Sequence, residues 1–233
     1  MGMEWNNILS GEIEAPEQIL RRMRRSDAGV IQEHSERLET TEYKPEKSFP
    51  RSSMVNVNAS GKLVALACST GGPKALQQVI PKLPENLDAA VVLVQHMPVG
   101  FTASLSARLD EMSEIRVREA QDGEVLQKGT VYIAKGGSQM RVIEKNRHEF
   151  VLSVREEGAR NGLKPCADIL YESLRESSFE DITCVIMTGM GADGTKGILQ
   201  LKETNKIYVI AQNAESSTVY LSLIHISEPT RPR

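Results

Sequence analysis

With 233 residues, of which 40% are hydrophobic, the chain has room for one α/β domain and an extension. Its net charge of −3 argues against a nucleic-acid binder, and no apolar run approaches the ~20 residues that span a bilayer. The three cysteines show neither close pairing nor metal spacing, and no signal peptide is visible. We therefore expect a soluble, cytoplasmic protein without membrane insertion.

The first 60 residues are polar and irregular. A short helix is predicted around Gln18 to Arg25, where apolar residues share a face above four arginines. The remainder has too little apolar periodicity to build a core and is typical of a linker. The arginines could dock an acidic partner, although a solvated helix face is the favoured interpretation.

Residues 63–68 are six apolar residues in a row, which indicates a strand buried on both faces, as in a parallel sheet. The chain then turns through Ser69, Thr70 and two glycines into an amphipathic helix. Thr70 is predicted to cap this helix and Pro73 to occupy its first turn. Ser69 is thus expected between a strand and a helix, the usual place for a site in an open α/β sheet.

Strands and helices alternate from here to residue 211, which predicts an α/β fold with a doubly wound, mainly parallel sheet. Further strands are predicted at residues 89–95, 115–119, 182–187 and 207–211, and further helices at 101–112, 167–174 and around 198–201. Residues 130–155 differ, because three short β-rich runs surround a hairpin tip at Asn146-Arg147-His148. We expect these runs to form an antiparallel β-hairpin addition to the main sheet.

Three predicted strand ends carry a reactive or polar side chain: Ser69, His96 and Asp193. Because the carboxyl ends of parallel strands share one edge, these side chains are expected to converge. A serine needs a base to take its proton, and the base needs a carboxylate to fix its tautomer, so the set predicts nucleophilic acyl transfer. The backbone N–H groups of Thr70 and of the glycine-rich turn around Met190 are candidates to stabilise an oxyanion.

Each of these residues alone has a structural interpretation, as a helix-start, pre-proline or turn residue. Their joint occurrence after strong apolar strands favours function instead. Cys68 is a rival nucleophile beside Ser69, but the alternation of a strand would point its side chain into the core.

A second hypothesis comes from Gly189-x-Gly191-x-x-Gly194, which follows a strand, opens a helix and formally matches a dinucleotide-binding fingerprint. Glu215 lies roughly where a ribose-binding acid could sit. A dinucleotide-binding module is disfavoured by position, because the fingerprint normally opens such a domain, whereas only one helix and one strand follow it here.

Three motifs resemble the catalytic motifs of the bacterial chemotaxis methylesterase (CheB) family, and the resemblance covers about residues 63–220. It implies that Ser69 is the nucleophile, His96 the general base and acid, and Asp193 the partner of the histidine, with the backbone amides of Thr70 and Met190 as the oxyanion hole. The motifs are Ala67-Cys68-Ser69-Thr70-Gly71-Gly72-Pro73, Gln95-His96-Met97-Pro98 and Met187-Thr188-Gly189-Met190-Gly191-Ala192-Asp193-Gly194.

The reaction that this resemblance implies is hydrolysis of γ-glutamyl methyl esters on chemoreceptors through an acyl-enzyme, with deamidation of receptor glutamines as a second activity. It implies no metal and no cofactor, a monomeric enzyme, and methyl-accepting chemoreceptors as substrate and partner. A histidine kinase would be a partner only through a receiver domain. An inactive fragment that only binds receptors remains an alternative.

The chain also departs from the family pattern. Residues 1–60 resemble only a junction to the family's receiver domain, which we expect to be absent. Residues 61–220 are expected to form a C-terminally truncated catalytic domain, and residues 221–233 resemble a non-native tail. Lys164 stands where the family commonly has arginine, which would weaken bidentate recognition of a carboxylate.

Overall fold

The computed structural model describes residues 13–14, 61–146, 149–212 and 217. The strands are β1 (Ile13–Glu14), β2 (Lys62–Cys68), β3 (Ala90–Gln95), β4 (Arg116–Glu119), β5 (Thr130–Ile133), β6 (Gln139–Asn146), β7 (Glu149–Arg155), β8 (Asp181–Ile186) and β9 (Ile207–Gln212). The helices are α1 (Gly72–Val79), extended by a 3₁₀ turn (Ile80–Lys82), α2 (Phe101–Met112), α3 (Ala167–Ser173) and α4 (Thr195–Thr204).

Seven strands form one sheet in the order β1-β9-β8-β2-β3-β5-β4, and every neighbouring pair is parallel. From β2 the chain builds one side of the sheet and then returns to add β8 on the other side of β2. This reversal makes the β2–β8 boundary the switch point at which open α/β sheets place their ligand sites. The predicted fold class is confirmed.

The sheet is covered on both faces, which explains its continuous apolar strands. Leu63, Ala65 and Ala67 of β2 belong to the core under α3 and α4, whereas Val64 and Leu66 belong to the core under α1 and α2. The twofold alternation of a strand thus splits one apolar run between two cores.

The antiparallel addition is the hairpin β6–β7, which packs its apolar residues into the core on the α3–α4 face. One part of the prediction was wrong. The run at residues 131–134 was grouped with this addition, but it forms β5, which lies between β3 and β4 in the parallel sheet. Its four residues are all buried, as a central strand requires.

The predicted helix at 101–112 is confirmed as α2, but its outermost apolar residues are not part of the core. Leu105 and Leu109 are buried, whereas Phe101 is 59% and Met112 46% exposed. Within the described residues, every helix is too short or too polar to cross a bilayer.

Several predictions lie outside the described residues. They are the helix at residues 18–25, the tail at residues 221–233, and the positions of Arg147, His148 and Glu215.

Candidate active site

The strand register places Ser69 beside His96. Cys68 pairs with Gln95 in the β2–β3 ladder, and the His96 N–H donates to the Cys68 carbonyl at 3.1 Å, so the next residues of both strands are neighbours. By alternation, Ser69 and His96 continue the face that α3 and α4 cover, while Cys68 and Gln95 continue the opposite face. The predicted inward direction of Cys68 is confirmed, since it is buried and burial raises the pKa of its thiol.

The turn after Ser69 depends on two glycines for different reasons. Gly71 has a positive φ of 81°, which glycine adopts without strain. A Cβ on Gly72 would lie 1.9 Å from Gln95 Oε1, so this position has no room for a side chain. The prediction that Thr70 caps α1 was wrong, because the N-cap is Gly71 and no side chain caps the helix. Pro73 lies in the first turn, as predicted.

Gln95 ties the two strand ends together. Its side chain is buried, and its Nε2 donates to the carbonyl oxygens of Ser69 and His96, each at 3.0 Å. Its Oε1 accepts a hydrogen bond from the Cys68 thiol at 3.1 Å. One amide therefore fixes the backbone on both sides of the candidate nucleophile and base.

His96 and Asp193 are in direct contact, with His96 Nε2 2.8 Å from Asp193 Oδ2. Their side chains are only 12% and 6% exposed. Because a carboxylate only accepts hydrogen bonds, Nε2 carries the hydrogen in this pair, which leaves the Nδ1 lone pair of a neutral His96 free to take a proton. Among the described residues, no hydrogen bond joins the Ser69 hydroxyl to His96; such bonds often form only once substrate is bound.

Asp193 is held at the start of α3. Its Oδ2 also accepts from the Ala167 N–H at 2.6 Å, and its Oδ1 accepts from the Asp168 N–H and the Cys166 thiol, each at 3.0 Å. Burial by itself would raise the pKa of Asp193, but these hydrogen bonds and that of His96 outweigh it and lower the pKa to about 2. Asp193 is therefore a fixed negative charge beside the His96 ring at neutral pH.

Asp168, in α3, binds N–H groups at the start of α4, just as Asp193 binds N–H groups at the start of α3. This buried carboxylate accepts from the N–H groups of Gly194 at 3.0 Å and Gly197 at 2.7 Å, at the start of α4. Burial is the main cause that raises the pKa of Asp168, and the nearby charge of Asp193 adds to it. Helices α3 and α4 can approach this closely because Gly197 has no side chain. A Cβ at this position would lie only 2.8 Å from Tyr171 Cβ and would clash with it.

Cys166, Asp168 and Asp193 offer ligand atoms that lie within 4.8 Å of one another, as in a metal site. Each of these atoms already has a hydrogen-bond partner in the contacts described above. The geometry is that of two carboxylates that each accept hydrogen bonds from backbone N–H groups, which fastens α3 to α4, and Asp193 also contacts His96.

Thr70 and Met190, the predicted oxyanion donors, lie after β2 and β8 on either side of the switch point. The two loops are joined, since the Ser69 N–H donates to the Thr188 carbonyl and the Thr188 hydroxyl to the Thr70 carbonyl, each at 3.0 Å. Within the described part of the chain, neither the Thr70 nor the Met190 N–H donates a hydrogen bond. Both are therefore available to an incoming oxygen.

The glycine motif at residues 189–194, which formally matches a dinucleotide-binding fingerprint, binds a side chain of this chain instead. A bound pyrophosphate would need the N–H groups at the start of α4. Asp168 already occupies those of Gly194 and Gly197 with its own negative charge. The local geometry argues against a dinucleotide site.

No role in the site was predicted from sequence for Gln95, Cys166 or Asp168, although Gln95 is part of one of the three motifs. Gln95 carried a usable signal, because a polar residue that ends a fully apolar strand is buried and needs partners. Asp168 carried a weaker signal, because acidic residues are favoured in the first turn of a helix. Lys164, singled out by its departure from arginine, donates to the Glu157 carbonyl at 2.9 Å.

Comparison with known proteins agrees with this geometry. A family model described as CheB methylesterase matches residues 64–222. The protein-glutamate methylesterase/protein-glutamine glutaminase of Bacillus subtilis (strain 168) is 45% identical over 178 residues, which are 76% of this chain and 48% of that protein. The protein of the same name from Bacillus licheniformis is 48% identical over 171 residues, 72% of this chain and 47% of its own length.

A solved structure is also similar, the crystal structure of the Thermotoga maritima CheB methylesterase catalytic domain. It matches with a TM-score of 0.66 and 41% identity, and the match covers 69% of this chain and 84% of that one. The chain spans about half the length of the curated relatives it matches. Since the family model covers more than half of the chain, the chain belongs to the CheB methylesterase family.

Proposed function

We propose that this chain is a serine esterase that hydrolyses glutamyl methyl esters on chemoreceptors, and that it also deamidates receptor glutamines. The observation that carries the proposal is the 2.8 Å contact between His96 and Asp193, at the strand end next to Ser69. The relatives named protein-glutamate methylesterase/protein-glutamine glutaminase supply the substrate class.

The first half of the proposed reaction forms an acyl-enzyme. Ser69 Oγ attacks the ester carbonyl carbon while its proton passes to His96 Nδ1, and the negative charge of Asp193 stabilises the resulting imidazolium. The N–H groups of Thr70 and Met190 bind the oxyanion of the tetrahedral intermediate. The intermediate collapses as His96 returns the proton to the leaving oxygen, which departs as methanol.

The second half restores the enzyme. Water attacks the acyl carbon and gives a proton to His96, and collapse of this intermediate returns that proton to Ser69 and releases a carboxylic acid, which ionises to glutamate. For a glutamine substrate the same steps release ammonia in place of methanol. Apart from the attacking water, these steps use Ser69, His96, Asp193 and the backbone N–H groups of Thr70 and Met190.

We further propose that the enzyme works as a monomer in the cytoplasm. The cytoplasmic location is supported by redox chemistry, because Cys68, Cys166 and Cys184 are all free and buried, which fits a reducing compartment. The monomer is what the family resemblance implies. A histidine kinase would act on it only through a receiver domain.

Methanol release from a methylated chemoreceptor cytoplasmic fragment tests the proposal. The parent chain should release methanol, and Ser69→Ala should remove activity by roughly 10³-fold or more. Ser113→Ala is the matched control, because Ser113 follows the C-terminal end of α2 and its hydroxyl donates to the Leu109 carbonyl of the same helix. Activity that survives Ser69→Ala would overturn the proposal, and a folded parent chain that binds the fragment without turnover would support the binding-only alternative.

A further inference from the structure

Four loops follow β2, β3, β5 and β8 at the edge of the sheet that carries Ser69. Together with the first residues of the helices that follow them, these loops make up residues 69–74, 96–101, 134–138 and 187–196, which contain three lysines and one acidic residue. The acid is Asp193, whose side chain is 6% exposed and bound to His96. We call the other three residues, Lys74, Lys135 and Lys196, the lysine rim.

The lysine rim is exposed and unpaired. Within the described residues, none of its three side chains makes an ion pair or a hydrogen bond. Lysines at the opposite edge differ, since Lys62 and Lys128 both bind Asp88, at 3.0 and 2.5 Å. The positive charge at the Ser69 edge is therefore free to meet a partner, although the whole chain has a net charge of −3.

Helix stability does not explain two of these positions. Lys74 is the third residue of α1 and Lys196 the second residue of α4, and neither first turn contains an acidic residue. A cation at a helix N-terminus is repelled by the positive end of the helix dipole. The two lysines add to the positive potential of the helix starts at a cost to the fold.

Acidic side chains after β4 do not cancel this charge. Asp122 is paired with Arg155 at 3.4 Å, and Glu124 with Arg118 at 2.9 Å. Each of these two acidic side chains therefore has a local counter-charge.

We propose that the lysine rim docks an acidic polypeptide, namely the substrate segment in which the esterified glutamyl side chain lies among free carboxylates. This inference rests on the proposed function. The strands that precede the three lysines, β8, β2 and β5, end along one edge of the sheet within about 14 Å at the usual strand spacing, which equals the length of about nine helical residues. An acidic segment of this length, laid along the edge, passes the segments that carry all three lysines while an ester meets Ser69.

Binding in a Ser69→Ala background tests this inference without turnover. Lys196→Glu and Lys202→Glu form a matched pair, because both residues are exposed and they lie at opposite ends of α4. The probes are a methylated chemoreceptor cytoplasmic fragment and poly-L-glutamate. Lys196→Glu should weaken binding of both probes by about three- to tenfold at low salt, and Lys202→Glu by less than about twofold.

Two further readouts separate docking from damage to the fold. Lys196→Glu should leave the melting temperature unchanged or raise it, since a carboxylate suits a helix start. The difference in affinity between the two variants should shrink between about 50 and about 300 mM salt. Equal weakening by both variants, or by neither, would overturn the inference. Failure of the Ser69-intact chain to release methanol would count against the proposed function alone, because the binding comparison does not depend on turnover.

Discussion

Asp168 and Asp193 each bind the N–H groups at the start of the other's helix. Asp193, which immediately precedes the N-cap of α4, accepts from Ala167 and Asp168 in α3, and Asp168 accepts from Gly194 and Gly197 at the start of α4. Each carboxylate satisfies donors that a helix cannot satisfy internally, and both lie near a positive helix end. The exchange fastens α3 to α4 and fixes the carboxylate that contacts His96.

Replacing Asp168 by leucine should destabilise the protein far more than replacing it by asparagine. Asn keeps an oxygen that can accept from Gly194 and Gly197, whereas Leu leaves two buried N–H groups without a partner, at about 1–3 kcal/mol each. Urea unfolding of both variants checks this. A loss of similar size in Asp168→Asn would show that the negative charge, not the hydrogen bonds, holds α4.

The lowered pKa of Asp193 predicts an acid-dependent contribution to stability. Because the folded-state pKa is about 2 and the ordinary value is 3.8, ionised Asp193 stabilises the fold above about pH 4, and this contribution is lost as the pH falls through the folded pKa. The contribution of ionised Asp193 to the free energy of unfolding is roughly 2 kcal/mol, and about half of it is lost by pH 3.

The measurement is urea unfolding of the parent and of Asp193→Asn from pH 7 down to pH 3. The stability difference between the two proteins should narrow by about 1 kcal/mol over this range. A difference that stays constant with pH would contradict the assignment of a strongly acidic carboxyl to Asp193.

Gln95→Leu should lower kcat with little change in KM. The leucine keeps the volume, but the carbonyls of Ser69 and His96 lose the amide that holds them in register. A shift of about 1 Å in the reacting groups costs about 100-fold in rate. Steady-state methanol release measures both constants, with Gln78→Leu on the exposed side of α1 as the control. Unchanged kcat in a folded Gln95→Leu protein would show that the strand ladder alone fixes the two residues.

Gly72→Ala should unfold the site or destabilise the chain by about 1–3 kcal/mol. The added Cβ would lie 1.9 Å from Gln95 Oε1 and 3.1 Å from Cys68 Cβ, so either the amide or the turn must move. Gly158→Ala is the control, because a Cβ there meets no atom within 4 Å. Thermal unfolding compares the two, and equal melting temperatures would contradict the close packing of Gly72 against Gln95.

The alternation of strands and helices was predictable from sequence because each central strand is a continuous apolar run with one half in each core. The partner of a short run was not predictable. Residues 130–133 have the same β-rich composition as the hairpin strands. Their parallel pairing with β3 and the burial of all four residues, which place them in the main sheet, are visible only in the structure.

The candidate site was also predictable from sequence only in part. Ser69, His96 and Asp193 were predicted because each follows a strong strand, and parallel strands end at one edge. The supporting contacts of Gln95, Cys166 and Asp168 depend on side-chain directions across segments that are far apart in sequence. No local pattern encodes such contacts. The prediction of a cap at Thr70 was also wrong, since the N-cap of α1 is Gly71 in a left-handed conformation.

The spacing of the site along the chain has a consequence for biosynthesis. Ser69 and His96 are brought together by two adjacent strands, whereas Asp193 lies 97 residues after His96. A nascent chain can complete β2 and β3 long before the ribosome has added the carboxylate that orients His96 or the N–H groups that hold Asp168. Under the proposed function, hydrolytic activity therefore develops only after α4 has been synthesised and has folded.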